Sequence, residues 1–162
     1  MTDLEPLLAA VRLAVFDFDG VFTDNRVWTN ERGEESVVSS RSDGLGLRRL
    51  DEVGVSYVIV STETNPVVGV RARKLGAEAV QGVDDKLAAV REQAESHGVE
   101  LEHVAYVGND VNDADCLRSV GLPVVPVDAW PEVVPLARWV LSRAGGDGCV
   151  REFCDGVWKA QQ

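Results

Sequence analysis

The chain has 162 residues, is 45% hydrophobic and 27% charged, and carries a formal net charge of −11. That length and composition suit one globular domain, 1–162, burying its own core without staples. The acidic balance excludes a general nucleic-acid binder or a binder of anionic membrane surfaces, and restricts any anion site to a local, metal-assisted one.

In chain order, 3–11 reads as a short helix, and LAVFDFD (13–19) as a buried parallel strand that ends in acids. Two β-rich arms around Asn30-Glu31-Arg32-Gly33 predict a β-hairpin over about 21–40. Residues 43–53 suit a helix with Ser42 or Asp43 at its cap. VSYVIVST (55–62) reads as a strand, and 65–75 as a helix with Pro66 in its first turn and Gly76 past its end. A short strand near Ala79–Val80 precedes a helix over 84–97. HVAYVGND (103–110) is a strand, 111–120 a helix, LPVVPV (122–127) a strand, 131–138 a helix and 138–142 a last strand, before a helical tail from Gly148.

This alternation predicts an α/β fold: a Rossmann-like three-layer sandwich with a mainly parallel sheet, a hairpin inserted after the first strand and no large cap domain. No apolar run nears transmembrane length, and MTDLEPLLAAVR lacks the basic start and apolar core of a signal peptide. Cys116, Cys149 and Cys154 show no C-x-x-C spacing and read as reduced, buried thiols. A cytoplasmic protein is the expectation.

In parallel sheets ligands bind beyond the carboxyl ends of the strands, where Asp17, Asp19, Ser61, Asn109 and Asp110 all fall. Side chains two apart on a strand share a face, so Asp17 and Asp19 are expected in one cavity, where a cation such as Mg²⁺ would relieve their repulsion. In Gly108-Asn109-Asp110-Val111-Asn112-Asp113, residue 109 or 110 would complete the metal shell and Asp113 would hold a metal-bound water. A helix N-cap explains the same acids, and the two readings are compatible. Ser61 and Thr62 offer hydroxyls to a phosphate, and Lys86 offers a charge, although a lone lysine ordinarily belongs to solvent.

These four stations, in this order, resemble the haloacid dehalogenase superfamily of phosphatases, from about residue 13 to 157. The segments FDGVFTDN, SDGLGL, QGVDDK, VAYVGND and GGDGCVREF are similar to its small cap-less branch, the phosphatases of 3-deoxy-D-manno-octulosonate 8-phosphate and of nonulosonate (N-acylneuraminate, KDN) 9-phosphates. The resemblance implies an Mg²⁺-dependent phosphomonoesterase with Asp17 as nucleophile and Asp19 as general acid and base. It implies Ser61, Thr62 and Lys86 on the phosphoryl oxygens, metal at Asp17, Asp19 and residue 109 with its acidic neighbours Asp110 and Asp113, and a homotetramer whose subunits cover one another's sites. The substrate implied is a small phosphorylated sugar acid.

Two departures stand out. Ser61-Thr62-Glu63 and the Ser42-Asp43 pair look more like the nonulosonate branch, with Asp43 and Glu63 at the substrate and Arg71 and Lys74 available to a sugar carboxylate, or else solvated helix charges. Asn109 stands where active relatives usually carry Asp. It is similar to the C-terminal domain of acylneuraminate cytidylyltransferases, so a catalytically weak assembly module in a nucleotide-sugar pathway is the alternative function.

Overall fold

Leu13–Phe16 are all buried, which only a strand covered on both faces achieves. The computed structural model describes residues 4–162 and places this strand, β1, at the centre of a six-stranded sheet. The others are β4 (Ser56–Val60), β5 (Glu78–Val80), β6 (Val104–Val107), β7 (Leu122–Val125) and β8 (Trp139–Val140), in spatial order β5-β4-β1-β6-β7-β8. Every neighbouring pair is parallel.

The helices are α1 (Glu5–Ala10), α2 (Ser42–Glu52), α3 (Val67–Leu75), α4 (Lys86–Ser96), α5 (Ala114–Ser119) and α6 (Cys149–Ala160). The period of two along β1 divides them. Ala14 and Phe16 pack with Leu47, Leu50, Val68, Phe153 and Val157, from α2, α3 and α6. Leu13 and Val15 pack with Ala89, Val90, Cys116 and Leu117, from α4 and α5. The three-layer α/β architecture is therefore as expected. The three cysteines are free and buried. Among the described residues no helix is long and apolar enough to cross a membrane.

Boundaries differ where local chemistry intervenes. The first helix begins at Glu5, and residue 3 of the expected span lies outside the described residues. The hairpin is shorter than its 21–40 span: β2 (Trp28–Thr29) pairs antiparallel with β3 (Glu35–Ser36), and one bridge joins Thr23 to Ser39. Val21 and Phe22 are drawn into the core instead, with the Phe22 ring 5.5 Å from Phe16 and 5.9 Å from Phe18. The helix expected over 131–138 is only a 3-10 turn, Val134–Leu136, because Pro131 and Pro135 cannot donate the bonds a helix requires.

Candidate active site

The carboxyl ends of β1, β4 and β6 converge where the chain order reverses about β1. Asp17 follows β1 directly, and its backbone N–H donates to the Val107 carbonyl at 2.9 Å, so the ladder holds the acid at the sheet's edge. Phe18 turns into the core, leaving Asp17 and Asp19 to face the cleft. The Thr23 hydroxyl, wholly buried, then accepts from Gly20 N (3.2 Å) and Asn25 N (3.1 Å) and fixes the turn. Gly20 is required there: its φ is +83°, and a Cβ would overlap the Asn109 amide.

Lys86 is the first residue of α4, whose cap is Asp85 accepting from Ala88 N at 2.9 Å. That start aims Lys86 inward under β1 and leaves it 4% exposed. Its Nζ donates to Asp17 Oδ1 and to Asp113 Oδ1, both at 2.8 Å. Burial works against the ammonium, but the Asp17 and Asp113 carboxylates outweigh it and raise the Lys86 pKa. Burial, followed by the Asp113 charge, raises the Asp17 carboxyl against the pull of Lys86. With both acids ionised, two carboxylates share one ammonium, and the trio keeps one uncompensated negative charge.

Asp113 has a different task from the one its spacing suggested. Its Oδ1 takes Lys86 and the Tyr106 hydroxyl, the latter at 2.5 Å, and its Oδ2 accepts from Asn109 N (2.8 Å) and Asp110 N (3.2 Å). Both oxygens are committed to protein donors, so Asp113 positions Lys86 and the 108–113 loop rather than holding a water. Asp110 caps the following turn, accepting from Val111 N at 2.7 Å, in a capping box with Asp113.

Next to Asp17 lies a set of oxygens. One end of the Asn109 amide is 3.0 Å from the Asp19 carbonyl oxygen and 3.1 Å from Asp17 Oδ2, both acceptors. With the amide oxygen at that end, a carbonyl and a carboxylate oxygen lie 3.0 and 3.1 Å from it, a donor set whose chemistry suits a hard divalent cation. Among the described residues no three His, Cys, Asp or Glu side chains gather to bind a metal; the set here has only one carboxylate.

The cleft above has a volume of about 80 Å³ and is lined by Asp17, Asp19, Asn25, Thr62, Asn109, Asp110 and Asn112, with no cationic side chain among them. Burial, then the Glu63 charge, raise the Asp19 pKa. Ser61 is buried at the end of β4; its Oγ accepts from Glu63 N at 3.1 Å, leaving its own proton free to donate. A larger cavity, of about 570 Å³, runs along α6 and includes none of these acids.

None of the residues expected on the substrate side lines the cleft, although Glu63 is near enough for its charge to act on Asp19. Glu63 Oε1 accepts from Thr64 N (2.7 Å) and Asn65 N (2.8 Å), which ties down its own turn. Lys74 is exposed on α3. Arg71 donates to the Ser40 carbonyl at 3.0 Å, with its Nε buried and unpartnered. Asp43 is 1% exposed and neither carboxylate oxygen has a partner, so it faces the interior, not a ligand in the cleft. Burial raises its carboxyl to about 7 in spite of Arg71. A raised acid favours the fold below its unfolded pKa, near 3.8, and this contribution is lost as pH climbs toward 7. Asp43→Asn is therefore expected to gain stability over wild type progressively from pH 4 to pH 8, measured by thermal unfolding; a constant difference would refute the assignment. Tyr106, Asn25 and Thr23 escape a reading of the sequence, since an aromatic within an apolar strand and polar residues in a turn carry no distinguishing signal.

No family model matches the chain. It is 36% identical over 154 residues to the 3-deoxy-D-manno-octulosonate 8-phosphate phosphatase of Yersinia pestis, covering 94% of this chain and 82% of that protein. The Yersinia pestis crystal structure of an enzyme of this name superposes with a TM-score of 0.95 at 35% identity, over 98% of this chain and 86% of that one. A Moraxella catarrhalis phosphatase of the same name, solved in complex with magnesium, phosphate and KDO, gives 0.95 at 31% identity, over 99% and 93%. Fold and site thus define a hydrolase of the haloacid dehalogenase type. The chain belongs to the 3-deoxy-D-manno-octulosonate 8-phosphate phosphatase family of that superfamily, and it is a phosphatase.

Proposed function

We propose that the chain hydrolyses a small sugar-acid phosphate through an aspartyl-phosphate on Asp17, using Mg²⁺. The observation that carries this reading is the buried Lys86 bridging Asp17 and Asp113, with the Asn109 amide beside the Asp17 carboxylate and the Asp19 carbonyl. Asp17 Oδ2, the Asp19 carbonyl and the Asn109 amide oxygen would hold the Mg²⁺, which supplies charge neutralisation for the phosphoryl oxygens. Lys86 orients the Asp17 carboxylate and keeps it apart from Asp113.

Asp17 attacks phosphorus and the bond to the sugar oxygen breaks, while Asp19, with its raised pKa, gives that oxygen a proton. Asp19 then takes a proton from water as the water attacks phosphorus, and the bond to Asp17 breaks to release phosphate. Ser61 and Thr62 donate to the phosphoryl oxygens during transfer.

A cleft of about 80 Å³ suits the phosphoryl group alone. The rest of the sugar acid must meet groups from elsewhere, which supports a homotetramer of one-domain subunits. Val27, Trp28 and Val38 are exposed on the hairpin around a hollow of about 510 Å³ and offer the contact. Trp28→Glu is expected to lower the particle mass in light scattering; an unchanged mass would remove the hairpin from the interface. The buried free thiols suit a reducing, cytoplasmic setting.

The relatives point to 3-deoxy-D-manno-octulosonate 8-phosphate as the first probe, and the 61–63 and 42–43 departures point to a nonulosonate 9-phosphate as the second. The test is phosphate release from both with Mg²⁺. Turnover of either supports the reading. Inertness toward both, regained in Asn109→Asp, would favour the assembly module.

A further inference from the structure

We infer that Asn109 is a latch on the metal site: its amide nitrogen bonds the metal's ligands when no cation is present and turns its oxygen to them when one binds. This rests on the metal reading above. The end of the amide that faces Asp19 O (3.0 Å) and Asp17 Oδ2 (3.1 Å) meets only acceptors, and its other end meets only donors. With nitrogen at the first end, its two protons satisfy both oxygens. With oxygen there, three oxygens confront one another and the nitrogen faces only donors, so this orientation stands only when a cation on the three oxygens outweighs both costs.

The latch is fixed on all sides. Asn109 N donates to Asp113 Oδ2 at 2.8 Å, its carbonyl accepts from Trp130 N at 2.9 Å, and the glycine at position 20 leaves room for the amide. The residue is 5% exposed, so neither end of the amide is well served by solvent. Turning the amide end over end is the one motion that exchanges the donor for the acceptor without moving the loop.

An aspartate has no such option. Its carboxylate would face Asp17 Oδ2 at the same approach and repel it until a cation arrives. The asparagine therefore trades metal affinity for a site that is satisfied without metal, and it sets how strongly the chain depends on Mg²⁺.

The test compares wild type, Asn109→Asp, Asn109→Ala and Asp17→Asn at pH 8, by thermal unfolding in EDTA and in Mg²⁺ and by calorimetric Mg²⁺ titration. In EDTA, Asn109→Asp and Asn109→Ala are expected to melt roughly 2–4 °C or more below wild type, from lost hydrogen bonds and, in the aspartate, added repulsion. In Mg²⁺ the aspartate variant recovers, and it binds Mg²⁺ about tenfold or more tightly because a ligand charge is added. Equal melting of wild type and both variants in EDTA, with unchanged Mg²⁺ affinity in the aspartate variant, would overturn the latch. Mg²⁺ affinity left unchanged by Asp17→Asn would overturn the metal reading itself, so the two failures are distinguishable.

Discussion

Asp17→Asn is expected to lose at least about 10³-fold in phosphate release while melting no lower than wild type. The substitution removes the attacking oxygen but keeps the shape. It also relieves a buried site that holds more negative charge than Lys86 balances, since Asp17 and Asp113 share that one ammonium at 2.8 Å each. Stability retained or raised with activity gone is the signature of a group kept for chemistry rather than for folding. Stopped-assay phosphate release alongside calorimetry checks both halves. An active Asp17→Asn, or an inactive one that has simply unfolded, would contradict the assignment.

Lys86→Met should do the opposite to the fold. Methionine fills a similar volume but leaves Asp17 and Asp113 buried with no counter-ion between them. Breaking a buried pair by removing one partner costs about 3–5 kcal/mol. Activity should fall as well, since Asp17 loses the group that orients it. The double variant Lys86→Met/Asp113→Asn separates the two roles: it removes one of the two stranded charges, so stability should return in part while activity does not. The amide oxygen of residue 113 then accepts from the backbone N–H groups of Asn109 and Asp110, and its amide nitrogen at the other end donates to the Tyr106 oxygen. If Lys86→Met melts like wild type, the buried bridge is not the organising contact described here.

The fold was legible because LAVF, VIV and VAYV are apolar runs short enough to be parallel strands and are separated by segments of helical period. Asp17 and Asp19 were legible for the same reason: acids that terminate a buried strand lie at the sheet's carboxyl edge. Lys86 was visible only as a member of a set. Nothing in KLAAV distinguishes a lysine turned inward from a solvated one; the inward turn comes from where α4 starts beneath β1. The same limit applies to Asp43, which as a residue near a helix start reads as a cap, yet packing of α2 against α6 seals it from water. Asp113 stands out in the sequence as an acid one turn past the strand, but spacing along a helix does not reveal that Tyr106 and Lys86 occupy one of its oxygens. The hairpin is shorter than its sequence suggests, since Val21 and Phe22 suit a strand but suit the aromatic cluster of Phe16 and Phe18 better.

The most direct test is chemical trapping of the intermediate during turnover. Rapid quenching with a sugar-acid phosphate and Mg²⁺, followed by borohydride reduction and peptide mapping, should convert the residue at position 17 from aspartate to homoserine. Conversion confined to position 17 and absent from Asp17→Asn is the predicted result. Full turnover with no reducible acyl phosphate, or conversion at Asp19 instead, would contradict the account at its centre.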